Sequence, residues 1–148
     1  MAYTGFIWSI ADIAAIPCND NKCDCIINIL SPANYSEFAR ILKKDGLLIK
    51  VIPGNLYLQE IRRELYGTKD KRRYSKDDII RLFMKNFSLL REDKLVYKQN
   101  IEKSKLIQLL KMTPLSWNRK EQEWETIEYS KISRITVDFT VLTGKIKV

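Results

Sequence analysis

The chain has 148 residues, 45% of them hydrophobic and 30% charged, with a formal net charge of +8. Those values describe one globular domain able to bury a core and exclude a disordered tail. No stretch approaches the roughly 20 apolar residues of a membrane-spanning helix, and the absence of histidine removes Ser-His-Asp and Cys-His catalysis and most metal sites.

Charge divides the chain. Residues 1–36 hold one lysine against Asp12, Asp20 and Asp24, a net of −2, whereas residues 37–148 hold 25 Lys and Arg against 15 acids, a net of +10. A basic half with interleaved Tyr and Trp suits a polyanion such as RNA, and equally a solvated lysine-rich surface. The N-terminal 20 residues have an apolar middle but no basic leader and carry Asp12 inside it, which argues against a signal peptide and for a cytoplasmic chain.

In chain order, residues 6–10 read as a short strand. Asp12 then stands where a strand-end carboxylate accepts from an adenine amino group or a ribose hydroxyl, or simply closes a turn. Cys18, Cys23 and Cys25 are spaced C-x4-C-x-C, neither a zinc knuckle nor a disulfide framework, and read as core or loop thiols. Residues 24–30 form a nearly continuous apolar run, the pattern of a parallel strand buried on both faces. Pro32 stops it. Ser36 is the expected N-cap of a helix with Phe38, Ala39, Ile41 and Leu42 at helical spacing, closed by Lys43, Lys44 and Gly46. Residues 47–52 make the second strand, parallel to the first. Ligands sit outside the carboxyl ends of such strands, so residues 28–35 and 53–56 are the candidate site loops.

Gly54 permits close backbone approach to a ligand. Leu58, Ile61 and Leu65 predict a helix over residues 56–66 with Arg62 and Arg63 on its polar side. Residues 69–74 form a basic loop, either a phosphate clamp or a solvated linker. Ser75-Lys76-Asp77-Asp78 is a capping-box variant that opens a helix to residue 86, with Tyr74 stapling onto Ile79. Residues 87–101 follow as a strand interrupted near Glu92-Asp93. A short amphipathic helix around Leu106–Leu110 ends at Pro114, a capping signal at Asn118 starts a further helix to residue 129, and residues 135–141 alternate as a terminal strand. The fold class is α/β, one domain over residues 1–148, with parallel core strands and an antiparallel C-terminal edge.

Residues 37–49, EFARILKKDGLLI, look like the E-x-x-R-V-L-K-P-G-G-x-L-I stretch of class I S-adenosylmethionine-dependent methyltransferases. Three further pieces are more specific: NILSPANYSEF over 28–38, IKVIPGN over 49–55 with Tyr57-Leu58 and Leu65-Tyr66, and LLKMTPLSW over 109–117. Together they resemble the large-subunit (23S) rRNA guanine-N1 methyltransferases, over essentially the whole chain.

The resemblance implies a partial Rossmann-like sheet, the C-terminal half of such an enzyme, lacking the first strands and the glycine-rich loop. Among Gly5, Gly46, Gly54, Gly67 and Gly144 there is no G-x-G. It implies S-adenosylmethionine as cofactor, weakly held or not held by this chain alone, with Ala11, Asp12 and Ile13 at the adenine and Asn28 and Ile29 at the methionine side. Asp12 departs from the Ala-Ser of that family. Ser31, Pro32 and Asn34 would face the guanine. Arg62, Arg63, Arg72 and Arg73 would meet rRNA phosphates, and Trp117 would stack on a base or lie in the core. The strand at 24–30 would be a free edge, paired either with residues 6–10 or with a second copy in a homodimer. The alternatives are a non-catalytic remnant serving as a basic RNA-binding or dimerisation module, and a small-molecule methyltransferase. The Met112-Thr113-Pro114 and Trp117 motif counts against the last.

Overall fold

The computed structural model describes residues 5–67, 76–115 and 131–147. They form β1 (Cys23–Ile29), α1 (Tyr35–Ile41), β2 (Leu42–Pro53), α2 (Gln59–Tyr66), α3 (Lys76–Asn86), β3 (Phe87–Asn100), α4 (Lys103–Met112) and β4 (Arg134–Ile146). The sheet order is β1-β2-β4-β3. β1 and β2 are parallel, with Cys25 beside Leu47 and Asn28 beside Lys50. β4 is antiparallel to both β2 and β3. The sheet is therefore parallel at one side and antiparallel at the other, as expected, but the C-terminal strand is not its edge: β4 is inserted between β2 and β3, and β3 takes the outer place.

Several local expectations change. Residues 6–10 form no strand; Phe6, Ile7, Trp8 and Ile10 are exposed, because β-propensity without a ladder partner does not make a strand. β1 is not buried on both faces. It lies at the sheet edge, and Ile27 and Ile29 are 64% and 57% exposed.

Helix α1 is capped by Asn34 rather than Ser36. The Asn34 side chain accepts from the Glu37 N–H at 3.2 Å, and Ser36 Oγ donates to it at 2.6 Å. The helix stops at Ile41 with Leu42 already extended, so Gly46 is not its C-cap. The β1–β2 register jumps from Cys23 beside Leu42 to Cys25 beside Leu47, and Gly46 sits in the intervening bulge. A Cβ there would lie 2.8 Å from Leu42 Cδ2.

Helix α2 begins at Gln59, three residues later than expected, because Leu58 takes a left-handed φ of 51° at its N-cap. The irregularity in β3 falls between Leu89 and Arg91, while Glu92 and Asp93 pair regularly with Leu142 and Val141. The Tyr74 and Ser75 side of the capping box and the helix expected over 118–129 lie outside the described residues.

Two apolar clusters hold the layers together. Tyr35 and Phe38 of α1, Phe83 of α3 and Phe87 close over Leu48, Ile52 and Leu142 of the sheet, with Tyr35 edge-on to Phe83 at 6.1 Å. Leu58, Ile61 and Leu65 pack with Leu106 and Leu110 of α4 and with Ile135 of β4. Each such side chain contributes on the order of 1.5–3 kcal/mol by leaving water. No helix among the described residues is long and apolar enough to cross a membrane.

Candidate functional site

A cleft of about 970 Å³ opens between these clusters, at the carboxyl ends of the two parallel strands. Its floor is the turn from Leu30 to Ala33 and the end of β2 from Lys50 to Pro53, with Gly54 just beyond it. Tyr57 and Arg62 form one wall, and Ile79 and Leu82 of α3 another. Leu109 and Met112 of α4, with Thr113, Pro114 and Leu115, close it. Both loops that β-α-β logic singled out therefore reach the cleft, and so does the Met-Thr-Pro motif.

The turn after β1 is built by one polar network. Leu30 has a left-handed φ of 49°, a conformation that costs a bulky residue energy and persists only where neighbours impose it. Asn28 imposes it: Nδ2 donates to Ser31 Oγ at 2.8 Å and to the Pro32 carbonyl at 2.9 Å. Its Oδ1 is left facing Lys50 of the adjacent strand, whose Nζ donates to it at 2.5 Å and to the Ser31 carbonyl at 3.2 Å. Lys50 is only 4% exposed, and burial holds its pKa below the ordinary lysine value.

The second loop is held from beneath by Asp138 of β4. Its backbone carbonyl accepts from the Gly54 N–H at 2.8 Å, and Oδ2 accepts from the Leu56 N–H at 2.9 Å. One turn further, Glu60 accepts from Thr136 Oγ1 at 2.5 Å and from the Thr136 N–H at 2.8 Å. Burial alone would raise the Glu60 pKa, but these hydrogen bonds bring it below the usual value. Burial raises that of Tyr57. The far wall is tied to α2 by Tyr66, whose hydroxyl donates to the Leu115 carbonyl.

Of the residues singled out in the sequence, Ser31, Pro32 and Arg62 meet in the cleft. Arg62 Nη1 donates to the Asn55 carbonyl at 3.2 Å. Arg63 points along the exposed side of α2, donating to Gln59. Asn34 is occupied as the cap of α1. Asn28 lies beneath the turn rather than on the lining, and Ile29 faces solvent on the opposite side of β1. Ala11, Asp12 and Ile13 lie outside the cleft in an exposed turn, where Asp12 Oδ1 accepts from the Ala14 N–H at 2.9 Å. Arg72, Arg73 and Trp117 lie outside the described residues.

Sequence reasoning missed Lys50 and Asp138. Lys50 was absorbed into the apolar run 47–52, although a lone lysine near the end of one strand, with an asparagine near the end of the preceding one, was a usable signal. Asp138 falls on a polar position of the alternation over 135–141, where nothing local distinguishes it from Thr136 and Thr140. The thiols depart in part from the core-or-loop expectation: Cys18 lies in the loop before β1, but Cys23 and Cys25 are in the strand and Cys25 is exposed. Cys18 and Cys23 approach to 3.6 Å as free cysteines, and burial and then the Cys18 hydrogen bond push the Cys23 thiol up. Among the described residues no group of three or more His, Cys, Asp or Glu side chains could hold a metal ion.

No family model matches the chain. It is 38% identical over 143 residues to a Bacillus subtilis (strain 168) protein described as "Putative 23S rRNA (guanine-N(1)-)-methyltransferase YxjB", a match that covers 97% of this chain and 51% of that protein. The chain thus spans about half the length of the curated relative. Among solved structures, a Bacillus halodurans C-125 protein described as a "putative methyltransferase" superposes with a TM-score of 0.51 at 14% identity, over 91% of this chain and 69% of that one. The MccD protein does so with a TM-score of 0.51 at 15% identity, over 93% and 66%.

Proposed function

We infer, from a chain that has the Rossmann-like class I methyltransferase fold and resembles the 23S rRNA guanine-N1 methyltransferases, that it is the C-terminal part of an S-adenosylmethionine-dependent rRNA (guanine-N1) methyltransferase. The observation that carries this reading is convergence on one cleft. Leu30 to Pro32 of the NILSP turn, the VIPG strand end and the MTPL segment are separated in sequence, belong to stretches that resemble the same family, and line one cavity at the strand ends.

Guanine N1 is engaged in a Watson-Crick pair, so the target must be presented unpaired. An apolar cleft lined by Pro32, Tyr35 and Tyr57 suits a planar base. Arg62 at the rim, Arg63 beside it and the basic residues 69–73 would meet RNA phosphates, and Trp117 would stack on a base. Orientation of the base is the main contribution these residues can make to an in-line methyl transfer.

The stretches expected to hold the cofactor do not by themselves make a site for it. Asn28 has spent both its amide donors on the turn and its carbonyl on Lys50, and Asp12 is bonded within its own loop. Ala11, Ile13 and Ile29 offer apolar surface to a ring, but no donor set for the amino-acid end among the described residues. We therefore expect this chain alone to be inactive. Calorimetric titration with S-adenosylmethionine tests that: millimolar or absent binding is the expected result, and micromolar binding would overturn it. Binding of a large-subunit rRNA fragment in preference to an equally charged duplex tests the RNA reading.

A second reading is favoured by β1, which is an edge strand among the described residues and exposes Ile27 and Ile29, and by the exposed Phe6, Ile7 and Trp8. The chain would then act as a basic RNA-binding or dimerisation module, pairing through that edge in a homodimer or with another polypeptide. Sedimentation of the wild type against Ile27→Lys distinguishes it: a dimer that the lysine abolishes supports this arm.

A further inference from the structure

We propose that Lys50 reads the ring carbonyl of the target base, and so sets the preference for guanine over adenine. This rests on the guanine-N1 reading above and goes beyond it by naming the discriminating residue.

The argument starts from an unbalanced charge. A buried lysine is normally retained beside a carboxylate, because an uncompensated ammonium is expensive to desolvate. Lys50 makes no ion pair among the described residues, and its two acceptors, Asn28 Oδ1 and the Ser31 carbonyl, are both neutral. Among the described residues the cleft does not supply the missing charge either. Its charged lining residues are Lys50 and Arg62, both cations.

The second step counts donors. An ammonium carries three N–H groups and no acceptor. Two are spent on the turn, and the third has no acceptor among the described residues. Asn28 fixes the direction of the head group: its own amide donors are tied to Ser31 and Pro32, so its carbonyl oxygen stays turned towards Nζ. The ammonium is thus held in place before any ligand arrives, at the floor of a cleft that is otherwise mainly apolar.

A ligand seated there gains a charge-assisted hydrogen bond if it presents an acceptor, and suffers an unpaired donor facing a cation if it presents an N–H. The purines differ in this respect. Guanine offers O6 and N7 as adjacent acceptors, whereas adenine puts an amino donor where O6 would be. Lysine facing that edge selects guanine and hypoxanthine and rejects adenine. Arg62, at the wall, is placed for phosphate and not needed for this choice.

The test uses the full chain and the mononucleotides GMP, IMP and AMP, with affinity read by calorimetry or by amide chemical-shift titration. The wild type is expected to bind GMP and IMP about tenfold tighter than AMP, the worth of one charge-assisted hydrogen bond. Lys50→Met, which keeps the length and removes the donors, should bind all three alike, and Lys50→Arg should retain part of the preference. A folded Lys50→Met chain that still prefers GMP overturns the proposal. If that variant does not fold, the wild type decides by itself: equal affinity for IMP and AMP, or no GMP binding at millimolar concentration, overturns it too. None of these readouts requires S-adenosylmethionine. A Lys50-dependent guanine preference without cofactor binding would sustain this inference while leaving the methyltransferase reading to its own test.

Discussion

Gly54 and Asp138 are packed backbone against carboxylate: a Cβ placed on Gly54 would overlap Oδ1, Cγ and Oδ2 of the aspartate. The glycine is required by this close approach and not by a left-handed φ, since Gly54 is not among the positive-φ residues. Asp138 cannot easily yield. It is 1% exposed, lies in the strand between β2 and β3, and its Oδ2 is held by the Leu56 N–H. The loop at the mouth of the cleft is therefore set by a residue 84 positions later in the chain.

Gly54→Ala should cost about 1–3 kcal/mol or more through overpacking. Asp138→Ala should cost about 1–3 kcal/mol by leaving the Leu56 N–H without its acceptor. The two should not add, because removing the carboxylate makes room for the methyl group. Urea denaturation of both single variants and the double variant checks this: coupling of about 1 kcal/mol or more is expected, and simple additivity would mean the two do not compete for one space.

Arg40 fastens the N-terminal segment to α1. Nη2 donates to Glu37 Oε2 at 2.8 Å and to the Ile16 carbonyl at 2.9 Å, and Nη1 donates to the Cys18 carbonyl at 2.8 Å and to Asp20 at 2.6 Å. A single ammonium cannot reproduce that fork. Arg40→Lys should speed exchange of the Ile16 amide, which donates to Glu37 Oε2, while the amides of β2 and β4 keep their protection. Hydrogen exchange followed by NMR separates local from global opening.

The same pair carries a pH dependence. The Arg40 hydrogen bonds, then the Ile16 N–H, hold the Glu37 carboxyl below its usual 4.5. A depressed carboxyl contributes stability that is fully present above the unfolded value and is lost as pH falls through the folded one. Ile16 exchange protection should therefore weaken in acid below about pH 4.5 in the wild type. In Glu37→Gln it should be weaker throughout and flat across that range.

Lys50 should shift stability in the same direction with pH, but in the alkaline window. Its folded pKa lies below the unfolded 10.5, so over the window beneath 10.5 the unfolded chain binds more protons and stability rises with pH. The urea midpoint of the wild type, measured against Lys50→Met to cancel the other titrating groups, should move in favour of the wild type as pH is raised towards 10.5. A difference that stays constant would mean that the ammonium is not desolvated in the folded chain.

Gly144 supports the aromatic cluster. A Cβ there would lie 2.7 Å from Phe83 Cζ and 2.8 Å from the Ser88 carbonyl. Phe83 is fully buried between Tyr35 and Phe87. Gly144→Ala should cost about 1–3 kcal/mol, and Phe83→Leu in the same chain should recover part of it, measured as the denaturation midpoint.

The sequence by itself determined the elements and their class. Apolar runs at 24–30 and 47–52 around a short amphipathic stretch admit little besides a parallel strand–helix–strand unit. Strict alternation at 135–141 admits little besides a strand, and family-like motifs along the chain pointed to the cleft loops. These are local facts, carried by period and by turn residues. Tertiary structure alone decided which partners each element met. It put β4 between β2 and β3, left β1 at an edge with Ile27 and Ile29 in solvent, and gave residues 6–10 no ladder to join. It also assigned the polar roles. Asn28 and Lys50 are 22 positions apart, and Gly54 and Asp138 are 84 apart. A lone lysine and a lone asparagine near two strand ends hint at the first pair, but no period ties together the members of either, because a contact between elements depends on register and sheet order, which exist only once the sheet has formed.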